Sequence, residues 1–297
     1  MKADSMITNI QVTPSGSWLT QVWRMVGWNV YQMRRRMMSK ILGLIYILPL
    51  LIMLGIFLAI NKHDLLAYPS LFRNFSAVMS SLGPLLLPIL AATLIGSEYT
   101  YGIQRQLLGR GMSRAQVYTA QLLSLAAITF LVTGITLLVG LLLSLILGAA
   151  FGVKMALPVG GDWGSLLLYW LTHTLNIYFF VTIAVFIATL GRNPIAGTAV
   201  ALGYQIFEIL VRSILMLLAS LFDVNAARTI THIVEWLPGS VTQTVLNGAG
   251  ALLFHDPTPP SSADVMNPGT AFIILLIYLF ILLFGGYLLY SRRDMTE

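Results

Sequence analysis

Six stretches of this chain are almost uninterrupted runs of apolar residues, at 41–60, 76–95, 117–151, 165–190, 195–221 and 270–290. A bilayer core about 30 Å thick is crossed by about 20 helical residues rising 1.5 Å each. In lipid a run of this kind must be helical, because unpaired backbone groups are too costly there. The pattern therefore predicts an all-α integral membrane protein with six transmembrane helices. The run at 117–151 is longer than a simple span. It is expected to project beyond the membrane as a helical extension, with Gly140, Gly148 and Gly152 as possible bends.

The segments between the runs have patterns of their own. Residues 16–40 place Trp18, Trp23, Trp28 and Tyr31 among Arg24, Arg34, Arg35 and Arg36. Trp and Tyr favour the headgroup level and arginines pair with phosphates, so this is read as an amphipathic helix on the inner leaflet. The long connection at 222–269 is acidic at Asp223, Glu235, Asp256 and Asp264. Within it, residues 226–251 repeat apolar positions three or four apart, and Pro238 and Gly239 interrupt them. One or two short helices lying at the outer interface are expected, as an interfacial or re-entrant loop. The later part, from His255 to Asp264, is a turn-rich loop.

Composition reinforces the membrane reading. Hydrophobic residues are 57%, charged residues 9%, and the mean hydropathy is +0.83. Soluble domains carry about 25% charged residues. There is no cysteine, which excludes thiolate chemistry and cysteine metal sites. Residues 1–40 have no apolar core, so the run at 41–60 is read as a retained span and not a signal peptide. The basic residues divide unevenly. Lys2, Arg24, Arg34, Arg35, Arg36, Lys40, Arg105, Arg110, Arg114, Arg192, Arg292 and Arg293 fall on one side, and Lys62, Arg73, Lys154 and Arg228 on the other. This asymmetry places both termini in the cytoplasm, in a plasma (inner) membrane. The pI near 9.7 is then the cytoplasmic excess of a membrane protein, and no nucleic-acid partner is expected.

The segment 96–115 is polar and basic, with Arg105, Arg110 and Arg114, and is far longer than a turn between spans requires. It is expected to form a short helix under the membrane. Its pattern is Glu98, Tyr99, Gly102, Arg105, Leu107, Leu108, Gly111, Ser113 and Arg114. This resembles the cytoplasmic segment between the second and third spans of ABC-2 type transporter permeases, with Ile103 where Thr is common. The six spans, the amphipathic helix before them and the long connection before the last span fit the same family.

The resemblance implies one transmembrane domain over 1–297, with 97–116 as the coupling segment. It implies the membrane half of an ATP-driven exporter, working as a homodimer or close heterodimer. Two copies of a separate ABC ATPase subunit would bind ATP and Mg. This chain has no Gly-x-x-x-x-Gly-Lys-Ser/Thr phosphate loop and is expected to be no enzyme. The motif arginines admit a second reading, as topology determinants binding lipid phosphate. Glu98 is expected to brace the structure, by capping the short helix or pairing with a basic residue of the preceding interfacial helix.

Four polar residues stand out inside the spans. Glu208 and Arg212 are one turn apart on one face, where a charge must turn inward and pair. Either they form a buried structural pair, or they line the translocation path. His173 and Asn176 share a face of the fourth span and are expected to hydrogen-bond between helices, or to contact substrate. An ion-gradient-driven secondary transporter or channel using Glu208 and Arg212 is the alternative class. No protease or transferase constellation is present. Gly197, Ala201, Gln205, Glu208 and Arg212 form one stripe, and with the first two spans they are the expected dimer seam. Ser80, Gly83 and Pro84 permit a kink in the second span, and 226–251 would cover the seam as a lid.

Overall fold

The computed structural model describes residues 17–153, 162–222, 224–255 and 266–292. Lys2, Lys154, Asp223, Asp256, Asp264, Arg293 and most of the turn-rich loop after His255 lie outside the described residues. Among those described, every regular element is helical. Six helices are long and apolar enough to cross a membrane: α2 (Met37–Ala59), α3 (Ser70–Thr100), α5 (Arg114–Ala150), α6 (Asp162–Gly191), α7 (Pro194–Leu221) and α10 (Pro268–Arg292). Four shorter ones join them: α1 (Trp18–Arg35), α4 (Ile103–Gly109), α8 (Val224–Glu235) and α9 (Pro238–Phe254). The protein is an all-α, multi-pass membrane protein.

The amphipathic segment forms α1, begun by Ser17, whose hydroxyl accepts the amide of Thr20 at 3.4 Å. Trp18, Trp23, Trp28 and Tyr31 are exposed, while Val22, Met25, Val26, Asn29 and Met33 are buried. The buried face packs on α5, where Asn29 donates to Ser124 at 3.1 Å and Gln116 to Gln21 at 2.9 Å. Helix α1 is therefore fastened to the bundle on one face and leaves its aromatic face outward. A single extended residue, Arg36, turns the chain into α2.

Helices α3 and α6 are the most enclosed of the spans. They meet through small residues and hydrogen bonds, the usual means of helix association in lipid. Tyr169 donates to Ser76 at 2.7 Å, and Gly83 admits the side chain of Ile177. Helix α2 is nearly unburied, with one apolar face after another exposed, among them Leu44, Leu48, Leu51 and Ile52. Helix α3 outruns its predicted limits of 76–95 at both ends despite Pro84 and Pro88. Helix α5 is one uninterrupted element, so Gly140 and Gly148 do not break it. Gly140 instead gives room to Phe75.

Two sequence expectations change. The stripe Gly197, Ala201, Gln205 and Glu208 is buried inside the chain itself, its first part on α3 and α6 and Glu208 against the start of α9, and is not an open seam. Gly197 faces Ala92 and Ala188, so the small residues serve close packing within one copy. The segment 226–251 does divide at Pro238, but α9 does not simply lie over the bundle. Val241, Val245, Leu246, Ala249 and Leu253 are buried, and α9 packs against α6 and α10. Its three-and-four spacing fits a protein-facing stripe as well as a lipid-facing one, which is why periodicity alone did not separate them.

Candidate functional site

Two regions at opposite ends of α3 carry the polar chemistry. At the C-terminal end of α3, the chain passes through Gly102, with φ +65°, into the two-turn helix α4. Gly111, with φ +86°, takes it out again into α5. A side chain is strained at such angles, so these glycines shape the loop. Ser113 then opens α5 with a reciprocal cap: its hydroxyl accepts the Gln116 amide at 3.2 Å, and its own amide donates to Gln116 Oε1 at 2.7 Å.

Glu98 lies in the last turn of α3 and is only 2% exposed. It accepts a hydrogen bond from the Gln121 side chain on α5, which ties the two long helices together where α4 joins them. Arg36 stands near enough to act on its charge, and donates to Thr93 O at 3.3 Å and to Ser97 Oγ at 2.9 Å. Glu98 is thus a brace near a basic residue of the interfacial segment. It does not cap α4, which has no side-chain cap.

The remaining motif residues separate into inward and outward groups. Tyr99 packs edge-on to Tyr290 with centroids 6.5 Å apart, and Leu107 and Leu108 rest on the core. Arg114 donates to Ser291 O at 2.6 Å, holding the last turn of α10. Arg105, Gln106, Gly109 and Arg110 are exposed. The outward surface of α4 is therefore carried by Arg105 and Arg110, with Tyr101 beside them at 73% exposure.

The second region is a cleft of about 930 Å³ among α3, α6, α7 and α9. Arg73, Ser76, Ser80 and Ser81 line it from α3, Gln205, Glu208 and Arg212 from α7, and Thr242, Gln243 and Asn247 from α9. Glu208 Oε1 accepts the amides of Gly239 at 2.5 Å and Ser240 at 3.2 Å. These are orphan donors of the first turn of α9, where a carboxylate is favoured. The sequence pairs Glu208 with Arg212; the structure gives its hydrogen bonds to α9 instead. Arg212 contributes only the field of its charge.

His173 and Asn176 do not line the cleft. Both are buried, and neither has a hydrogen-bond partner among the described residues, so the expected helix-to-helix bonds are not formed there. The Tyr169 ring stands edge-on to His173 at 4.5 Å. Sequence reasoning missed Gln121 and Arg73 as functional neighbours, and it expected a basic residue of the interfacial helix beside Glu98 without singling out Arg36. Gln121 carries a legible signal, a polar side chain about one turn into an apolar run; Arg73 was counted only as a charge outside a span.

A family model described as ABC-2 family transporter protein matches residues 31–208, more than half of the 297-residue chain. The match runs from the last part of α1 to Glu208 and includes the whole α3–α4–α5 unit. No curated protein matches the chain.

Proposed function

This chain belongs to the ABC-2 transporter family, and from that premise we propose that it is the permease subunit of an ATP-driven exporter, coupled to a separate ATPase through α4. The observation that carries the coupling is the position of α4. It is a two-turn helix held between two long spans, with Arg105 and Arg110 turned outward. An ATPase surface bearing carboxylates fits it. Two permease copies and two ATPase copies make the working unit, with ATP and Mg held by the ATPase. The α4 end faces the cytoplasm, with both termini on that side of the plasma membrane.

The internal ties supply a route from this end to the cleft. Glu98 and Gln121 join α3 to α5 beside α4, so a push on α4 moves both helices. Higher on α3, Gln205 of α7 holds the Pro84 carbonyl, next to the cleft wall. A displacement of α3 is therefore passed to α7, and through Glu208 to α9. Family membership favours this over an ion-gradient carrier, and the role of Glu208 as a cap for α9 accounts for an intramembrane acid without a proton step.

The test is co-purification and transport. The tagged permease, expressed with a candidate ABC ATPase subunit, is expected to retain that subunit and to support ATP-dependent transport in inverted vesicles. Loss of the ATPase together with transport driven by an ion gradient would reverse the assignment.

A further inference from the structure

We propose that the floor of the cleft holds a buried water site, built by His173 and Asn176 of α6 with Ser80 of α3. Helices α3 and α9 both pack on α6, and the cleft lies between them. Helix α6 is therefore its floor. Tyr169, His173, Asn176 and Phe180 follow one another at steps of four, three and four, so they share one face of that helix. Tyr169 and Phe180 line the cleft, whereas the two residues between them are shut away at 0% and 1% exposure.

Both enclosed side chains are short of partners. His173 Nδ1 and Nε2 and Asn176 Oδ1 and Nδ2 form no hydrogen bond among the described residues. Buried polar groups are costly to leave unpaired, and ordered water meets the need where no side chain does. The kind of group required follows from the chemistry. A neutral imidazole has one donor and one acceptor nitrogen, and a primary amide also has both functions. Water donates and accepts, so one molecule suits both residues. A simple ion offers only one of the two functions. Helix α6 itself adds no charge between Asp162 and Arg192.

Register supplies the geometry. Tyr169 donates to Ser76 at 2.7 Å, and Gly83 admits the side chain of Ile177. These two contacts align α3 with α6. Ser80 falls between them on one helix, His173 and Asn176 on the other. Ser80 donates its hydroxyl hydrogen to the Ser76 carbonyl at 2.8 Å, which leaves its oxygen able to accept from water. Side chains three apart on a helix have Cβ atoms about 5–6 Å apart. A water bonded at about 2.9 Å to each of His173 and Asn176 spans that gap. With Ser80 it has the three partners usual for a buried water. A molecule that displaces it must bring a group that both donates and accepts, such as a hydroxyl or a primary amide.

The test is X-ray hydroxyl-radical footprinting of the purified permease in phosphatidylcholine nanodiscs, which marks side chains that touch bound water. After correction for intrinsic reactivity, His173 is expected to label about tenfold faster than Phe72 and Phe179, which are buried to the same degree. Asn176→Leu and Ser80→Ala should each cut the His173 rate severalfold. Labelling of His173 at the Phe72 rate overturns the proposal, and so does an unchanged His173 rate in both variants. Thermal unfolding is an independent check. His173→Leu and Asn176→Leu should each lower the midpoint, because each strands the water and its other partner. The double variant should recover part of the loss. A midpoint that rises in both single variants shows two dry, unpaired groups and overturns the proposal as well. Neither measurement involves an ATPase or transport, so failure here leaves the permease reading standing.

Discussion

Gln205 on α7 donates its side-chain amide to the backbone carbonyl of Pro84 on α3. The need for this bond originates four residues further along α3. Pro88 has no amide hydrogen, so it cannot bond the Pro84 carbonyl within the helix. Gln205 supplies the missing donor from a neighbouring helix, which is how helix-breaking residues are tolerated at membrane depth.

That relationship predicts a specific non-additivity. Gln205→Leu should destabilise the protein by about 1–3 kcal/mol, the cost of a buried unsatisfied carbonyl. Pro88→Ala restores the internal donor, so adding it should recover much of that loss. Thermal unfolding in detergent across the four variants measures the coupling. Strictly additive effects would show that Gln205 acts through packing alone.

The loop motif predicts a division of labour among its arginines. Reversing the outward pair, Arg105→Glu with Arg110→Glu, should reduce ATPase retention at least tenfold by placing like charges in contact. Arg114→Gln should do the opposite, lowering stability by about 1 kcal/mol through loss of its bond to Ser291 while leaving retention largely intact. Pull-down and thermal unfolding on the same preparations decide it. Equal loss of retention in both variants would reject the division.

The long spans and the stripe on α7 were legible because membrane physics leaves few alternatives. Gly197, Ala201, Gln205 and Glu208 are the buried residues of α7, as their spacing indicates. What the spacing cannot carry is the identity of the neighbour. A small, polar face suits a second copy or another helix of the same chain equally well, and here α3, α6 and the start of α9 take it. Glu208 illustrates the same limit. Its nearest charge in sequence is Arg212, but its hydrogen-bond donors, Gly239 and Ser240, come from a helix beginning thirty residues later. Backbone donors have no signature in a sequence. The loop motif was visible as a unit, yet only the fold shows that Arg114 turns inward and Arg105 outward.

Glu208 also fixes where α9 begins, which gives a local prediction. Glu208→Ala should raise hydrogen exchange at the Gly239 and Ser240 amides and cost about 1–2 kcal/mol, as for a lost helix cap. Glu208→Gln keeps an acceptor oxygen and should cost less. Gly239→Ala should reproduce the Ala phenotype from the other side, since a Cβ there would stand 2.5 Å from Glu208 Oε1. Unchanged exchange at both amides in Glu208→Ala would remove the capping role.

The remaining prediction concerns assembly. With its small-residue stripe turned inward, α7 presents a different face outward: Ile206, Phe207, Ile209, Leu210, Ile214 and Leu217 are all exposed. In a bilayer either lipid or another copy must cover it. The proposed transporter needs two permeases, and α7 also lines the cleft, so this face is the place where a second copy would feel the cleft change shape. The chain has no cysteine, so single replacements report without background. Ile206→Cys and Leu210→Cys should form disulfide-linked dimers in native membranes. Leu86→Cys, half-buried on α3, should do so less readily. With the ATPase present, ATP should alter the yield at one α7 position or both. A protein that runs as a monomer in mild detergent and forms no cross-link at any of the three would exclude α7 as the seam.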